Sequence, residues 1–299
     1  MIKSIKFILS YVLVGTVYFV LSIDPVFADS AKQIMEKVDE NLRERNESVF
    51  TLLKLSTCKY GISENKIKCS KIPTIKQVES ISINTGPNGK DSKSIAFVQD
   101  PPSERGIGML SYNYDDSNKD NETWLYLSAF GKIKRIVSSN SDAEAEPVAI
   151  FGSEFTNEDQ ESGKLDDYDY KLLKETTYKN RRVAIIDQTP KPHKAKKSRY
   201  GKSIVWIDLE KYIVLKAKMY NRKDTEIRRL FVSEIDKINN VWLAKSITIL
   251  NLETQRLSNM KLLSINFGIN IGSGLFTKRS LTDKAFRQGH LKGIRDQTS

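Results

Sequence analysis

The sequence predicts a mainly antiparallel β protein of the α+β class, built on one strongly curved sheet. The main observation is a period of two, as in IVLKAKMY, where Ile213, Leu215, Ala217 and Met219 share one strand face. Turn signals separate such runs at intervals of roughly 8–12 residues, which is too short for crossover helices. Because about a dozen strands rarely stay flat in one open sheet, the sheet is expected to curl around a cavity.

The first 28 residues have the pattern of a cleaved secretory signal peptide. Lys3 and Lys6 precede an apolar run over residues 7–23, and Val26-Phe27-Ala28 offers a cleavage site. An uncleaved transmembrane anchor is the alternative, since the run is only slightly shorter than the roughly 20 residues a span needs. Pro25 breaks the helix just before the cleavage site and favours cleavage. We therefore expect an exported protein formed by one domain over residues 29–299.

Export changes the interpretation of the net charge of +11. An exported basic protein meets anionic lipid headgroups and envelope polymers, so a nucleic-acid partner is not expected. A solvated basic surface is the simpler alternative, because 37 acidic residues are interspersed.

The mature chain is predicted to begin with an amphipathic helix. Ser30 and Gln33 form a capping-box pair, and Ile34, Val38 and Leu42 form one apolar stripe on a helix that ends near Arg45. Such a helix packs on the main domain or serves as a movable lid.

Cys58 and Cys69 are the only cysteines. They bracket a predicted hairpin, and an even pair in an oxidising compartment predicts a disulfide. A zinc site lacks partners, because neither of the two histidines is near a cysteine in sequence.

Further strands are predicted upstream, and three other segments have distinct compositions. The strands are expected at residues 50–58, 66–71, 76–84, 94–99, 109–114, 123–127, 134–138, 170–177 and 182–188. Residues 139–169 form a long polar loop around VAIFGSEF, which is typical of a functional or mobile segment. The basic stretch 191–202 predicts an exposed loop, with anionic headgroups as a sharper alternative role, and residues 282–299 predict a disordered tail.

Catalytic motifs are missing from the sequence, so an enzyme is not expected. The two histidines lie in the basic stretch and in the tail, away from any nucleophile motif. The paired acids Asp115-Asp116, Glu158-Asp159 and Asp166-Asp167 are typical of solvated turns. A calcium site near Asp115 does not match the spacing of a calcium loop. We expect no cofactor and no metal.

Large aromatic residues occupy predicted strands. Trp124 and Tyr126 share one strand face, and Trp206 and Trp242 lie in later strands. Such residues belong to a core more often than to a ligand wall.

Seven motifs in order carry a resemblance that extends from about Ala31 to Leu281. The motifs are PPSERGIGMLSYNYDD, TWLYLSAFGKIKRI, FGSEFTNED, DDYDYKLL, SIVWIDLEKYIVLKAKMYNR, VWLAKSITILNL and SGLFTKRSL. The chain resembles the outer-membrane lipoprotein-sorting proteins of the LolA-like superfamily. The resemblance implies an incomplete β-barrel with short helices over its open side, located in the periplasm, with an apolar cavity for acyl chains.

The resemblance, together with the predicted strand that contains Met109 and Leu110, gives a set of candidate site residues. Positions of the lipid cavity or its rim are Met109, Leu110, Tyr112, Trp124, Tyr126, Phe151, Phe155, Trp206 and Trp242. Other motif positions are Arg105, Gly106, Gly108, Lys134, Arg135, Gly152, Glu158, Asp159 and Asp208. The arginine that holds the lid in the founding carrier has no match in this sequence.

The function expected from the resemblance is transport of an acylated lipoprotein or lipid toward the outer membrane. Its partners would be an inner-membrane transporter, an outer-membrane acceptor and, transiently, the membrane surface. The alternative is an accessory or sensor module that docks on an inner-membrane transporter and has a filled interior.

Overall fold

The computed structural model describes residues 30–43, 48–64, 66–136, 149–160 and 164–298. Its strands are β1 (Ser48–Ser63), β2 (Lys66–Cys69), β3 (Thr74–Thr85), β4 (Asp91–Asp100), β5 (Gly108–Asn113), β6 (Glu122–Leu127), β7 (Lys132–Ile136), β8 (Tyr168–Tyr178), β9 (Arg181–Pro190), β10 (Lys202–Asp208), β11 (Ile213–Tyr220), β12 (Glu226–Ile238), β13 (Val241–Asn251) and β14 (Arg256–Phe267). Its helices are α1 (Ala31–Arg43), α2 (Pro192–Ala195), α3 (Lys278–Thr282) and α4 (Lys284–Thr298). The predicted signal peptide lies outside the described residues.

One antiparallel sheet contains all fourteen of these strands. Its order is β7-β6-β5-β4-β3-β1-β14-β13-β12-β11-β10-β9-β8, and β2 pairs with β1 beside this path. The sheet is curved and stays open, so the prediction of a curved antiparallel sheet that forms an incomplete barrel is confirmed. The strands β1 and β14, which are far apart in sequence, pair at the centre of the sheet, where Val49 lies opposite Phe267.

The period-two pattern corresponds to the observed strands. In β11 buried and half-buried residues alternate along the whole strand. The four buried residues do not share one face as predicted: Ala217 and Met219 belong to one apolar cluster and Ile213 and Leu215 to another, because the pairing with β10 shifts register at Trp206/Ile207. Helix α1 also forms as predicted, because the backbone N–H of Gln33 donates to Ser30 Oγ at 3.2 Å and that of Ser30 donates to Gln33 Oε1 at 2.7 Å. Its stripe residues Ile34 and Val38 are buried.

The two faces of the sheet carry separate apolar clusters. On β4, Ala96 and Val98 belong to one cluster, whereas Ile95 and Phe97 belong to the other, since neighbouring strand residues point to opposite faces. The α1 cluster lies under helix α1; its buried members are Ala31, Ile34, Met35, Val38, Leu55, Val78, Val98, Met109, Phe151, Phe155, Ala184, Ile186, Tyr200, Val205, Ile207, Ala217, Met219, Ile227 and Ile249. The tail cluster lies under α3 and α4; its buried members are Phe50, Ile81, Ile95, Phe97, Leu110, Trp124, Ile269, Leu275, Phe276, Leu281, Leu291 and Ile294.

The prediction of a disordered tail over residues 282–299 is wrong, because α4 occupies residues 284–298. Leu291 and Ile294 are buried in the tail cluster. Arg295 donates from Nε and from Nη2 to the two carboxylate oxygens of Glu79, each at 2.6 Å. The apolar stripe of this helix is interrupted by glycines and charged residues, so its periodicity is weak in the sequence.

The predicted disulfide is present. Cys58 and Cys69 are bonded, with Cα atoms 5.7 Å apart, and they tie β2 to β1. A disulfide fits an oxidising compartment. Among the helices that the structure describes, none combines the length and hydrophobicity that a membrane crossing requires.

Candidate functional site: the sheet face beneath helix α1

Helix α1 covers the apolar face of the C-terminal half of the sheet. Ile34 is only 1 % exposed, and Met35 and Val38 are buried beside it in the α1 cluster. The helix contacts β8 and β11, so its stripe lies across strands near the β8 edge. This arrangement places an amphipathic helix over the cluster that has the most buried members of the three in the described residues.

Polar contacts attach α1 near both of its ends. Asn41 Nδ2 donates to the backbone oxygens of Lys211 at 2.9 Å and Tyr212 at 3.1 Å, in the turn between β10 and β11. At the other end, Lys32 Nζ lies 2.8 Å from Asp166 Oδ1, and both side chains are exposed. An exposed ion pair contributes little to stability, so the apolar stripe and the Asn41 contacts hold the helix.

Residues 149–160 form a plug that enters the α1 cluster. Ala149 and Thr156 form an isolated bridge, and the backbone N–H of Ile150 donates to Phe155 O at 2.8 Å. Phe155 is fully buried and Phe151 is nearly so. Phe151 has a φ of 49°, a left-handed conformation that an aromatic residue rarely adopts, so the packing of its ring determines the backbone.

A buried ion pair fixes the plug to the sheet. Arg228 Nη1 on β12 donates to Asp159 Oδ2 at 3.0 Å and to Glu154 O at 2.8 Å, and the two paired side chains are 4 % and 1 % exposed. Tyr200 Oη donates to Asp159 Oδ1 at 2.6 Å. Burial and the Asp159 charge raise the pKa of the Tyr200 hydroxyl well above its usual value, so this hydroxyl stays protonated as a donor.

The other carboxylates of the plug are also bound by protein groups. Glu154 accepts from Asn251 Nδ2 at 2.8 Å and from Arg256 Nε at 2.7 Å. Glu158 accepts from the hydroxyl of Ser198 and from the backbone N–H of Arg199. The pair Glu158-Asp159 therefore holds the plug in place and does not form a solvated turn as the sequence indicated.

The same contacts correct the prediction for the basic stretch 191–202. Ser198 is 1 % exposed and Tyr200 is buried, so this half of the stretch is part of the core rather than an exposed loop. Their burial follows from the hydrogen bonds to Glu158 and Asp159.

A small pocket of about 70 Å³ lies where the plug meets β1 and β3. Its lining residues are Leu55, Thr57, Thr74, Lys76, Phe151, Gly152, Ser153 and Arg256. Lys76 Nζ donates to Phe151 O at 2.8 Å across it. The volume is well below the roughly 300–1,000 Å³ of typical ligand pockets, so the plug fills this part of the face with protein.

The structure divides the nine predicted cavity residues among three clusters. Met109, Phe151 and Phe155 belong to the α1 cluster. A second group, Leu110, Tyr112, Trp124 and Tyr126, belongs to the tail cluster on the opposite face of the sheet. Trp206 and Trp242 pack on a third cluster with Val183, Ile213 and Leu215. The nine residues therefore do not line one wall.

The four residues of the second group contact each other and the C-terminal segment. The rings of Tyr112 and Trp124 meet edge to face at 5.1 Å, and Tyr112 Oη donates to Phe276 O at 2.6 Å. Gly108 precedes them, and a Cβ at this position would lie 2.8 Å from the Phe97 ring and 3.0 Å from Leu281. Glycine is thus required where α3 approaches β5.

The remaining motif residues shape turns or lie on the surface. Gly106 has a φ of 89°, and its N–H donates to Val98 O at 2.9 Å. Asp208 is buried, pairs with Arg181 at 2.9 Å, and accepts backbone N–H groups of the β10–β11 turn.

Three basic motif residues are placed near the surface. Arg105 Nε donates to Gln99 O at 2.8 Å. Lys134 and Arg135 are exposed on the edge strand β7.

The last motif residue, Gly152, lies within the plug and not at the surface. Its φ of 75° is in the left-handed region that favours glycine.

Several site residues were missed in the sequence, above all Arg228, Glu154 and Asn251. Arg228 lies on β12 two residues before Leu230, which packs on the α1 cluster, and it is buried although it is charged. A charged residue in such a register is the one signal that marks a buried ion pair. Within the ranges that the structure describes, no group of three or more His, Cys, Asp or Glu residues has the arrangement of a metal site.

Comparison with protein families gives one match that covers more than half of the chain. The model of a family described as "Uncharacterized protein"-like matches residues 90–283. The chain belongs to this family. The match includes the plug, Arg228 and β4 to β14, whereas α1, β1 to β3 and the whole of α4 lie outside it. A search of curated proteins finds no match for the family member described here.

Solved structures show that this family member has a LolA-like fold. A DUF1329 family protein from Desulfovibrio piger is 21 % identical with a TM-score of 0.72, covering 85 % of this chain and 100 % of its own. A putative outer membrane lipoprotein-sorting protein domain from Vibrio parahaemolyticus is 22 % identical with a TM-score of 0.68, covering 83 % and 99 %. A LolA superfamily protein from Nitrosomonas europaea is 17 % identical with a TM-score of 0.58, covering 84 % and 99 %. These identities establish a common fold.

Proposed function

We propose that this protein is a non-enzymatic periplasmic carrier that shields the acyl chains of a lipoprotein or lipid for transfer to the outer membrane. The observation that carries the proposal is helix α1, whose apolar stripe covers the largest apolar cluster of a LolA-like sheet. Residues 29–299 act as one domain, exported by a cleaved signal peptide, and the Cys58–Cys69 disulfide fits the periplasm.

The energetic need for such a carrier is clear. Each CH₂ of an acyl chain gains about 0.8 kcal/mol on leaving water, so a chain crosses the aqueous space only inside an apolar sheath. In the proposed mechanism α1 moves away from the face and acyl chains replace its stripe on residues such as Ala184, Ile186 and Met219. The apolar area that α1 loses is regained by the ligand, so exchange with a membrane stays reversible.

A second candidate function is an accessory or sensor module that docks on an inner-membrane transporter. The filled plug region supports it, because Phe151 and Phe155 occupy space that a permanently open cavity would leave to a ligand. In this case α1 stays in place and no lipid is bound.

Native mass spectrometry of the protein purified from the periplasm, together with titration of a fluorescent fatty acid, tests the carrier proposal. We expect co-purified lipid and saturable binding of the probe. Val38→Gln places a polar group on the buried side of α1, so the helix covers its face less tightly and the probe is expected to bind about tenfold more strongly. Glu40→Gln introduces the same residue on the exposed side of α1 and serves as the matched control.

The outcomes separate the two functions. Protein that is purified without lipid and does not bind the fatty-acid probe would contradict the carrier proposal. The same protein recovered with inner-membrane vesicles that contain a transporter would instead support the accessory module. Equal effects of the Val38 and Glu40 variants would show that the probe binds elsewhere than beneath α1.

A further inference from the structure

The third apolar cluster carries aromatic and basic side chains at the protein surface, of which Lys179 and Lys237 are exposed and the others half-buried. Trp206 lies between Val205 and Ile207, which both belong to the α1 cluster, so Trp206 points to the face opposite α1. We call the surface formed here the aromatic–lysine patch; it consists of Tyr178, Trp206, Trp242, Lys179, Lys211, Lys216 and Lys237. Its three rings are half-buried on Val183, Ile213 and Leu215.

Each ring of the patch has lysine ammonium groups over it. Lys216 Nζ lies 4.5 Å from the Trp206 ring centre and 5.8 Å from that of Tyr178. Lys211 Nζ lies 4.6 Å from the Trp242 ring centre. Lys179 adds a contact of 5.5 Å to Tyr178, and Lys237 one of 6.0 Å to Trp242. These contacts keep the charges beside the rings at one surface.

The patch lies at one end of the sheet. The hairpins β8–β9, β10–β11 and β12–β13 all turn at this end, because alternate hairpins of a meander turn on the same side. Tyr178 and Lys179 lie at the first turn, Lys211 at the second, and Lys237 and Trp242 at the third. Three loop tips therefore present the rings and lysines together.

The charge of the patch is weakly balanced by the protein. Among the residues that the structure describes, Lys179, Lys216 and Lys237 have no carboxylate within ion-pair distance, and Lys211 has only the exposed Glu210 at 3.3 Å. The nearest buried acid, Asp208, is paired with Arg181, and Asp236 is paired with Lys245. Burial, and then the charges of Lys218 and Arg229, lower the pKa of Lys216. An anionic surface would relieve this repulsion.

We infer that the aromatic–lysine patch docks the protein on an anionic phospholipid bilayer, an inference that rests on the proposed carrier function. Trp and Tyr rings favour the level of the lipid headgroups, where one side of the ring is apolar and the other is wet. Flexible lysines reach phosphates from this level. Protein interfaces are depleted in lysine, so the composition favours a bilayer over an acidic protein.

Docking at the patch would affect helix α1, because the β10–β11 turn belongs to the patch and also anchors this helix. The β10–β11 turn supplies Lys211 to the patch, and the backbone oxygens of Lys211 and Tyr212 in the same turn accept hydrogen bonds from Asn41 of α1. Lys37 of α1 also donates to Tyr212 Oη at 3.2 Å. A bilayer that binds Lys211 thus acts on the turn that anchors the helix.

Flotation with vesicles of phosphatidylcholine alone, or mixed with phosphatidylglycerol, tests the inference on the full mature chain. We expect binding to the anionic vesicles only, and a loss of about fivefold in partition coefficient for each lysine removed in K216Q and K237Q. K284Q and K292Q remove the same charge from exposed positions of α4 and are expected to change binding little.

Tryptophan emission distinguishes insertion from simple charge attraction. The emission of Trp206 and Trp242 should shift to the blue on anionic vesicles and be quenched by brominated lipid. The double variant W206F/W242F should show neither change, because the remaining tryptophan, Trp124, is only 5 % exposed in the tail cluster. The inference is overturned if the α4 lysine variants lose as much vesicle binding as the patch variants, or if neutral vesicles bind the protein equally well. It is also overturned if binding depends on the patch lysines but tryptophan emission does not change, a result that would indicate an acidic protein partner.

The fatty-acid titration without vesicles keeps this test separate from the proposed function. The patch variants should bind the probe like the unmodified protein. Loss of vesicle binding with intact probe binding would locate the defect in docking, and normal vesicle binding by a protein that binds no probe would contradict the carrier alone.

Discussion

The α1 cluster and the tail cluster cover opposite faces of one sheet, and they are closed in different ways. Over the tail cluster, α3 and α4 contribute side chains with no exposed area, such as Leu281 and Leu291, and Arg295 makes a bidentate pair with Glu79. Over the α1 cluster, one helix is attached by its stripe and by the Asn41 contacts. In the proposed carrier mechanism, the closure over the tail cluster is permanent and α1 is the removable cover of the other face.

The largest expected loss of stability comes from removing the buried ion pair that fixes the plug to the sheet. Arg228→Met leaves Asp159 buried without its cation, which should cost about 3–5 kcal/mol of unfolding free energy. Urea denaturation measures the change. The double variant Arg228→Met/Asp159→Asn should recover much of the loss, because no charge then remains buried. A single variant as stable as the unmodified protein would show that the plug is not fixed by this pair.

A cavity in the tail cluster should have the next largest effect and should not alter ligand binding. Leu291→Ala removes a fully buried side chain beneath α4 and is expected to cost about 3 kcal/mol. The affinity for the fluorescent fatty acid should stay unchanged under conditions where the variant is folded. A weaker affinity for the fatty acid would mean that packing on the tail face influences binding on the α1 face.

The smallest change in stability is expected where α1 is anchored. Asn41→Ala removes two hydrogen bonds to the β10–β11 turn and should cost about 1 kcal/mol. Stopped-flow mixing should show faster association of the fatty-acid probe, since the cover leaves its face more easily. Gln297→Ala, which removes a comparable amide anchor between α4 and Asn270, provides the control and should leave the association rate unchanged.

The local patterns of the sequence were sufficient for the strands and for α1. The alternation in β11 and the capping box at Ser30 are determined by neighbouring residues, and both appear as predicted. The disulfide followed from the spacing of Cys58 and Cys69 within one hairpin. Local signals therefore explain most of the secondary structure.

The arrangement of the site depends on contacts that local patterns do not contain. Alternation shows that Met109 and Leu110 point to opposite faces, but which helix covers each face depends on where the chain ends pack. Arg228 and Asp159 meet across 69 positions of sequence, and neither has a local pattern that predicts the other. For the same reason the sequence predicts a disordered tail, since the helix there is stabilised by the sheet rather than by its own propensity.

The position of β1 has a consequence for how the protein is made. β1 is the first strand in the part of the chain that the structure describes, yet it pairs with β3 on one side and with β14, the last strand of that part, on the other. Pairing at the centre of the sheet must therefore wait until β14 has been synthesised, and contacts of such long range fold slowly. During this interval one side of β1 is unpaired, and a chaperone can bind the nascent chain there.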